Sequence, residues 1–143
     1  MHIFIKGVWL GTISGFVLGF FLWSIEELFH LKVYTLLLNV DFIPLLSDIN
    51  LTIVGEWFLH LIISWAISLV FLLFLTKKSR TNRQVYIVAG LLCGGAALSY
   101  FPLTFLANKE TPALFDGFAI VTWMIGHVIY GLILIIYALK GKR

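Results

Sequence analysis

Charged side chains are scarce in this sequence. Only 12% of the 143 residues are charged, whereas a soluble domain has roughly 25%. The scarcity comes from four uncharged apolar runs, which cover residues 7–25, 57–76, 84–108 and 117–139. Each run has 19 residues or more, and about 20 are needed to cross the hydrocarbon core of a bilayer. The sequence therefore favours a membrane-integral protein, with the lipid bilayer as its first partner.

Cysteine and the familiar catalytic motifs are also missing. Cys93 is the only cysteine, which excludes an intrachain disulfide and a cysteine metal cluster. The chain has no nucleophile elbow, phosphate-binding loop or zinc-protease motif, so an enzyme is not favoured. It also has no basic patch with interleaved aromatic residues, which argues against a nucleic-acid partner.

The apolar runs predict one all-α membrane domain over residues 1–143, an antiparallel bundle of four transmembrane helices. We expect these helices at about 7–30, 52–76, 84–107 and 115–139. Helices satisfy their own backbone groups in lipid, and the runs lack the alternation of a membrane β-barrel. The first helix is expected to remain as an uncleaved anchor. The apolar but interrupted link 31–50 is expected to lie on the outer surface or to cap the bundle.

Basic residues are distributed unequally over the links between the runs. The first and third links carry only Lys32 and Lys109. Eight others flank the N-terminus, the second link and the C-terminus: Lys6, Lys77, Lys78, Arg80, Arg83, Lys140, Lys142 and Arg143. By the positive-inside rule, both termini face the cytoplasm.

Glycine recurs every four residues along the first predicted helix, at Gly7, Gly11, Gly15 and Gly19. This spacing makes one helix face flat and permits a close helix–helix contact. We expect the strip to pack on the third helix, which has glycines of its own, or on a second copy of the chain in a homo-oligomer. A glycine-lined pore is the alternative.

Ionisable side chains inside lipid are costly, and they mark the candidate site. His60 and His127 both lie about 15 Å from the outer helix ends, counted at 1.5 Å per residue. Glu26 is shallower, and Glu56 shares a helix face with His60 because the two are four residues apart. The third helix places three further residues at the same level: Ser99, Tyr100 and Pro102.

Three interpretations of this group remain open. The polar side chains hydrogen-bond to one another and hold the helices in register. Alternatively, His60, His127, Glu26 and Glu56 bind a divalent metal, or the two histidines bind a haem. In the third interpretation the same residues conduct protons or line the path of a small solute.

Three short blocks of the sequence run from Gly11 to Glu26, from Leu59 to Ser64, and from Gly90 through Ser99–Leu103 and Phe115–Asp116 to His127. Together they resemble the YagU-like family of bacterial inner-membrane proteins, whose biochemical function is unassigned. The resemblance implies a multi-pass protein of the bacterial cytoplasmic membrane in which Glu26, His60, Pro102 and His127 match family positions. The chain lacks the proline-rich stretch expected after the first helix, and its first link is short. The second choice is the YqhR-type small membrane proteins of spore-formers.

The sequence thus favours a small binding or accessory membrane protein with a polar pocket in the outer half of the bundle. The rival functions are an oligomeric transporter or proton-conducting subunit, and a purely structural protein. The identity of the ligand is not predicted.

Overall fold

A computed structural model describes residues 2–43, 51–76 and 81–141. These residues form six helices: α1 (His2–Phe29), α2 (Val33–Leu38), α3 (Ile53–Thr76), α4 (Asn82–Leu98), α5 (Tyr100–Leu106) and α6 (Gly117–Lys140). No strand occurs in the ranges described. The predicted link residues 44–50 lie outside them, as do five of the basic residues behind the predicted orientation: Lys77, Lys78, Arg80, Lys142 and Arg143.

Four helical units are long and apolar enough to cross a membrane: α1, α3, α4 with α5, and α6. The four-helix prediction is therefore confirmed. Their outer surfaces carry large apolar side chains in the open, among them Trp9, Phe20, Leu91 and Phe105, each more than 60% exposed. Such a surface is costly in water, and it suits contact with acyl chains.

The spanning helices run antiparallel to their packing partners. Gly7 of α1 lies near Leu69 of α3, whereas Gly19 lies near Trp57. The helix α1 also packs along α6, and α4 packs along α6 on the other side. In contrast, α3 and α4 touch each other sparsely, although they are consecutive spanning helices. The bundle is therefore open between α3 and α4.

The glycine strip of α1 packs on α3, and the prediction that it packs on the third spanning helix is wrong. A Cβ atom added at Gly11 would lie 2.8 Å from the carbonyl oxygen of Ser64, which shows how closely the backbones approach. The glycines of α4 have no such neighbour, because a Cβ at Gly90 or Gly94 would meet nothing within 4 Å. The helix α3 thus covers the strip within one chain, and the homo-oligomer stays a prediction.

The third spanning unit is interrupted at Ser99, between α4 and α5. Pro102 has no backbone N–H, so the carbonyl of Leu98 loses its helical partner. At the interruption, the backbone N–H of Ser99 donates to Ala96 O, three residues earlier, at 3.2 Å. The Ser99 hydroxyl donates to the same carbonyl at 2.6 Å. The interruption falls at the predicted level of the candidate site.

The short helix α2 closes one end of the bundle, which we call the distal end because it lies opposite the two termini. Its side chains Val33 and Leu36 are fully buried, and Leu38 is 2% exposed. His30, which follows α1, has a φ of 55°, and this left-handed residue ends the helix. The chain then turns back, so that α2 packs on α1 and α3.

Candidate functional site

A cavity of about 370 Å³ lies between α3, α4 and α6, where α3 and α4 touch only sparsely. Apolar residues of α3, α4 and α5 are six of the fourteen described residues that line it, and Leu18 and Leu37 extend it toward α1 and α2. Both predicted histidines line it. Its polar wall consists of the side chains His60, Ser64, Ser99, Trp123, His127 and Tyr130. The volume lies in the lower part of the range of small-molecule sites, which is roughly 300–1,000 Å³.

His127 reaches the cavity from α6. Its side chain is 6% exposed, and its Nδ1 lies 2.8 Å from the carbonyl oxygen of Trp123, one turn earlier. The imidazole also lies beside the Trp123 indole, with ring centroids 4.8 Å apart. That indole donates its Nε1–H to Ala97 O of α4 at 3.0 Å. The orientation of His127 is therefore fixed by a side chain that also joins α6 to α4.

His60 approaches the cavity from α3. Its Nε2 lies 3.3 Å from the carbonyl oxygen of Gly15 on α1, and its ring packs edge-on against Trp57. The Trp57 indole in turn donates to the Tyr34 hydroxyl of α2 at 2.8 Å. The close approach of the glycine strip thus brings a backbone carbonyl within reach of the histidine.

A hydroxyl cluster lies beside the histidines, and the sequence interpretation missed it. Tyr130 donates to the backbone carbonyl of Ser64 at 3.0 Å and lies 3.2 Å from the Ser68 hydroxyl. The Ser64 hydroxyl donates to Gly11 O at 2.7 Å. The available signal was the spacing of Ser64 and Ser68, which are four residues apart in an apolar run and so share a helix face.

Glu26 does not belong to this cavity. Its carboxylate accepts the backbone N–H of Thr35 at 2.8 Å and the Thr35 hydroxyl at 2.7 Å. Lys32 lies 3.5 Å from the same carboxylate. Thr35 is in the first turn of α2, where backbone N–H groups lack helical partners. Glu26 therefore fixes α2 to the end of α1.

Glu56 is also engaged elsewhere. It forms an ion pair with Lys109 of the turn between α5 and α6. Among the described residues, no group of three or more His, Cys, Asp or Glu side chains is arranged to hold a metal ion. The four-residue metal set predicted from the sequence is therefore not assembled, because local partners take up both carboxylates.

Asp41 forms a third set of polar contacts at the distal end, after those of Glu26 and Glu56. Its carboxylate accepts the backbone N–H groups of Asn108 and Lys109, the latter at 2.7 Å. The first and third links are thus joined to each other, and the sequence interpretation gave Asp41 no role.

Of the three residues that the third helix was predicted to place at the site, only Ser99 lines the cavity. Tyr100 is buried and donates its hydroxyl to Ala113 O at 2.9 Å, in the turn before α6. Pro102 is exposed on α5 and acts through the helix interruption described above. Cys93, which the sequence interpretation did not place in the pocket, lines it instead.

No protein-family model matches the chain, and no curated protein or solved structure does. The resemblance to the YagU-like family therefore stays an expectation based on the short sequence blocks. Any functional inference has to come from the cavity itself.

Proposed function

We propose that this chain is a membrane-integral binding or accessory protein that holds one small ligand in the cavity between α3 and α4. The observation that supports the proposal is that His60 and His127, on different helices, line the same cavity. The rest of its wall is largely apolar, and polar side chains contribute little of its surface. A few polar groups in a concave apolar wall are typical of small-molecule sites.

The cavity suits a ligand that arrives from the lipid. It lies beside α3 and α4, the consecutive spanning helices that touch least, and we propose that it opens between them toward the side of the bundle. A membrane-dissolved molecule reaches such a site without crossing the polar ties at the distal end. We propose that the protein resides in the bacterial cytoplasmic membrane with both termini inside, as the basic residues indicate.

Conduction through the bundle has less support. Beyond Ser68 the described core residues on α3 and α6 are apolar, and Phe71 and Leu134 are fully buried. A proton path would need polar groups or water there. The binding proposal needs no continuous path.

A purely structural role is the second candidate, because Glu26 and Glu56 both serve contacts within the chain. The two functions differ in what the purified protein carries. We would release the protein from mild detergent in a mass spectrometer and compare wild type with a His60→Phe/His127→Phe double variant. His2→Phe is the matched control, because His2 is exposed and lies at the opposite end of α1 from the distal end.

The binding proposal predicts a bound small molecule in wild type and in His2→Phe, and its loss in the double variant. Thermal unfolding of all three proteins shows whether the double variant is folded. If folded wild type and the folded double variant carry the same molecules in the same amounts, the cavity is not the binding site.

A further inference from the structure

Each of the two histidines in the cavity has one ring nitrogen within hydrogen-bond distance of a backbone carbonyl oxygen. Nε2 of His60 faces Gly15 O, and Nδ1 of His127 faces Trp123 O. A carbonyl oxygen only accepts, so each of these nitrogens carries the proton. The second nitrogens, Nδ1 of His60 and Nε2 of His127, are then lone-pair acceptors. Neither has a partner in the described part of the chain, and neither is sealed from its surroundings.

The other strong donors in the cavity wall are also committed within the protein. The Ser64 hydroxyl donates to Gly11 O, the Tyr130 hydroxyl to Ser64 O and the Ser99 hydroxyl to Ala96 O. The Trp123 indole is likewise engaged on α4. Each hydroxyl keeps lone pairs but has no free proton to offer.

The polar wall of the cavity therefore offers free hydrogen-bond acceptors but almost no free donors. The described residues that line it offer acceptors at two imidazoles and several hydroxyl oxygens, and their one uncommitted donor is the weak thiol of Cys93. A ligand that only accepts hydrogen bonds, such as a ketone or an ether, finds no strong donor there. A ligand that donates satisfies groups that otherwise stay unpaired in apolar surroundings.

The ligand is also expected to be neutral. The described residues that line the cavity include no Asp or Glu, and the carboxylates of Glu26 and Glu56 are engaged at the distal end. A cation entering the cavity would leave water without gaining a counter-charge, which is unfavourable.

We propose that the cavity takes a neutral, lipid-soluble molecule with an apolar body and a terminal hydroxyl group, an alcohol or a phenol. The hydroxyl donates to a free imidazole nitrogen, and the apolar body lies between α3 and α4. This inference rests on the proposed binding function and specifies its ligand class.

The test compares 1-decanol with its methyl ether, which has the same apolar chain but no donor. The protein, labelled with ¹⁵N-histidine and embedded in lipid nanodiscs, is titrated with each compound while ring-nitrogen resonances are recorded. Before titration we expect the Nδ1–H form at His127 and the Nε2–H form at His60. Single His60→Phe and His127→Phe variants assign the signals.

We expect the alcohol to shift the free imidazole nitrogens and to bind at least about tenfold more tightly than the ether, a difference of about 1.4 kcal/mol. The preference should fall toward onefold in the His60→Phe/His127→Phe double variant and persist in His2→Phe.

Equal binding of alcohol and ether overturns the donor inference and leaves the proposed binding function standing. If neither compound shifts an imidazole, the inference also fails, and the co-purified molecule then decides the binding function separately. A shift of both imidazoles by Zn²⁺ alone would show a cation site instead. Finding the Nε2–H form at His127 would contradict the inference that its Nε2 is a free acceptor.

Discussion

Replacing Gly11 by alanine places a methyl group against the backbone of α3. The new carbon would lie 2.8 Å from Ser64 O and 2.9 Å from the Cα of Trp65. Because both atoms belong to the backbone, no side-chain rotation relieves the contact, and α1 and α3 must move apart. Overpacking of this kind costs about 1–3 kcal/mol. Separation also weakens the Ser64 hydrogen bond to Gly11 O, whose net contribution is about 1 kcal/mol.

Gly90→Ala is the matched control. It makes the same substitution inside a spanning helix, but its new carbon meets nothing within 4 Å. The gain in helix propensity, about 0.5–1 kcal/mol, is common to both variants and cancels in the comparison. We therefore expect Gly11→Ala to be less stable than Gly90→Ala by about 2–4 kcal/mol.

Reversible unfolding in mixed micelles, followed by circular dichroism, measures this difference. Tryptophan fluorescence provides a second readout, because Trp65 lies at the contact. Equal unfolding free energies of the two variants would refute the packing of the glycine strip on α3. Lower stability of Gly90→Ala would indicate that the open face of α4 is in contact with something after all.

Three further substitutions test the polar contacts between helices and links, two by the same unfolding assay and one by hydrogen exchange. Glu26→Ala removes the acceptor of both Thr35 donors and should cost about 1–3 kcal/mol, whereas Glu26→Gln keeps an acceptor and should cost less. Tyr130→Phe should cost about 1–2 kcal/mol by removing the hydroxyl from its serine partners, and Tyr137→Phe, at a more exposed tyrosine, should be nearly neutral. Asp41→Ala should speed hydrogen exchange at the backbone amides of the turn between α5 and α6, which it now binds. If a variant leaves the unfolding free energy or the hydrogen-exchange rate unchanged, the contact that it removes does not stabilise the fold.

The spanning helices were predictable because uncharged runs of sufficient length have few alternatives in lipid. The short helix α2 was not predictable in the same way. It has only six residues, too few for a hydrophobic period to be recognised. Its first turn is held by Glu26, nine residues before Thr35, and such a tertiary contact leaves no local pattern in the sequence.

The level of the two histidines along the bundle was predictable from the sequence, but the residues that contact the predicted site residues were not. Counting residues along regular helices placed His60 and His127 at one level, and the structure brings both to one cavity. The spacing of Glu56 and His60 indicated a shared face, but the carboxylate meets Lys109, which is 53 residues later. Periodicity describes one helix; it does not identify the neighbour that each face meets. The glycine strip shows the same limit, since its spacing predicted a close contact and gave the wrong helix.

The stability of the ligand-free protein separates a binding histidine from a structural one. Among the described residues, Nε2 of His127 is an acceptor without a partner, and an unpaired polar group in apolar surroundings costs about 1–3 kcal/mol. His127→Phe removes this cost together with the Nδ1 hydrogen bond to Trp123 O, which contributes about 1 kcal/mol net. The carbonyl of Trp123 keeps its place in the helical ladder. We therefore expect ligand-free His127→Phe to be as stable as wild type, or more stable by up to about 2 kcal/mol.

A histidine that only holds helices together predicts the opposite sign. Its replacement would lower the free energy of unfolding by about 1 kcal/mol or more, with or without ligand. Unfolding of delipidated wild type and His127→Phe, each with and without 1-decanol, distinguishes the two cases. Stabilisation by the alcohol that is confined to wild type, combined with no loss in the ligand-free variant, means that the free nitrogen is kept at a cost to stability for the sake of binding. A loss in the ligand-free variant would make His127 a structural residue and would count against its free nitrogen as an acceptor for the ligand.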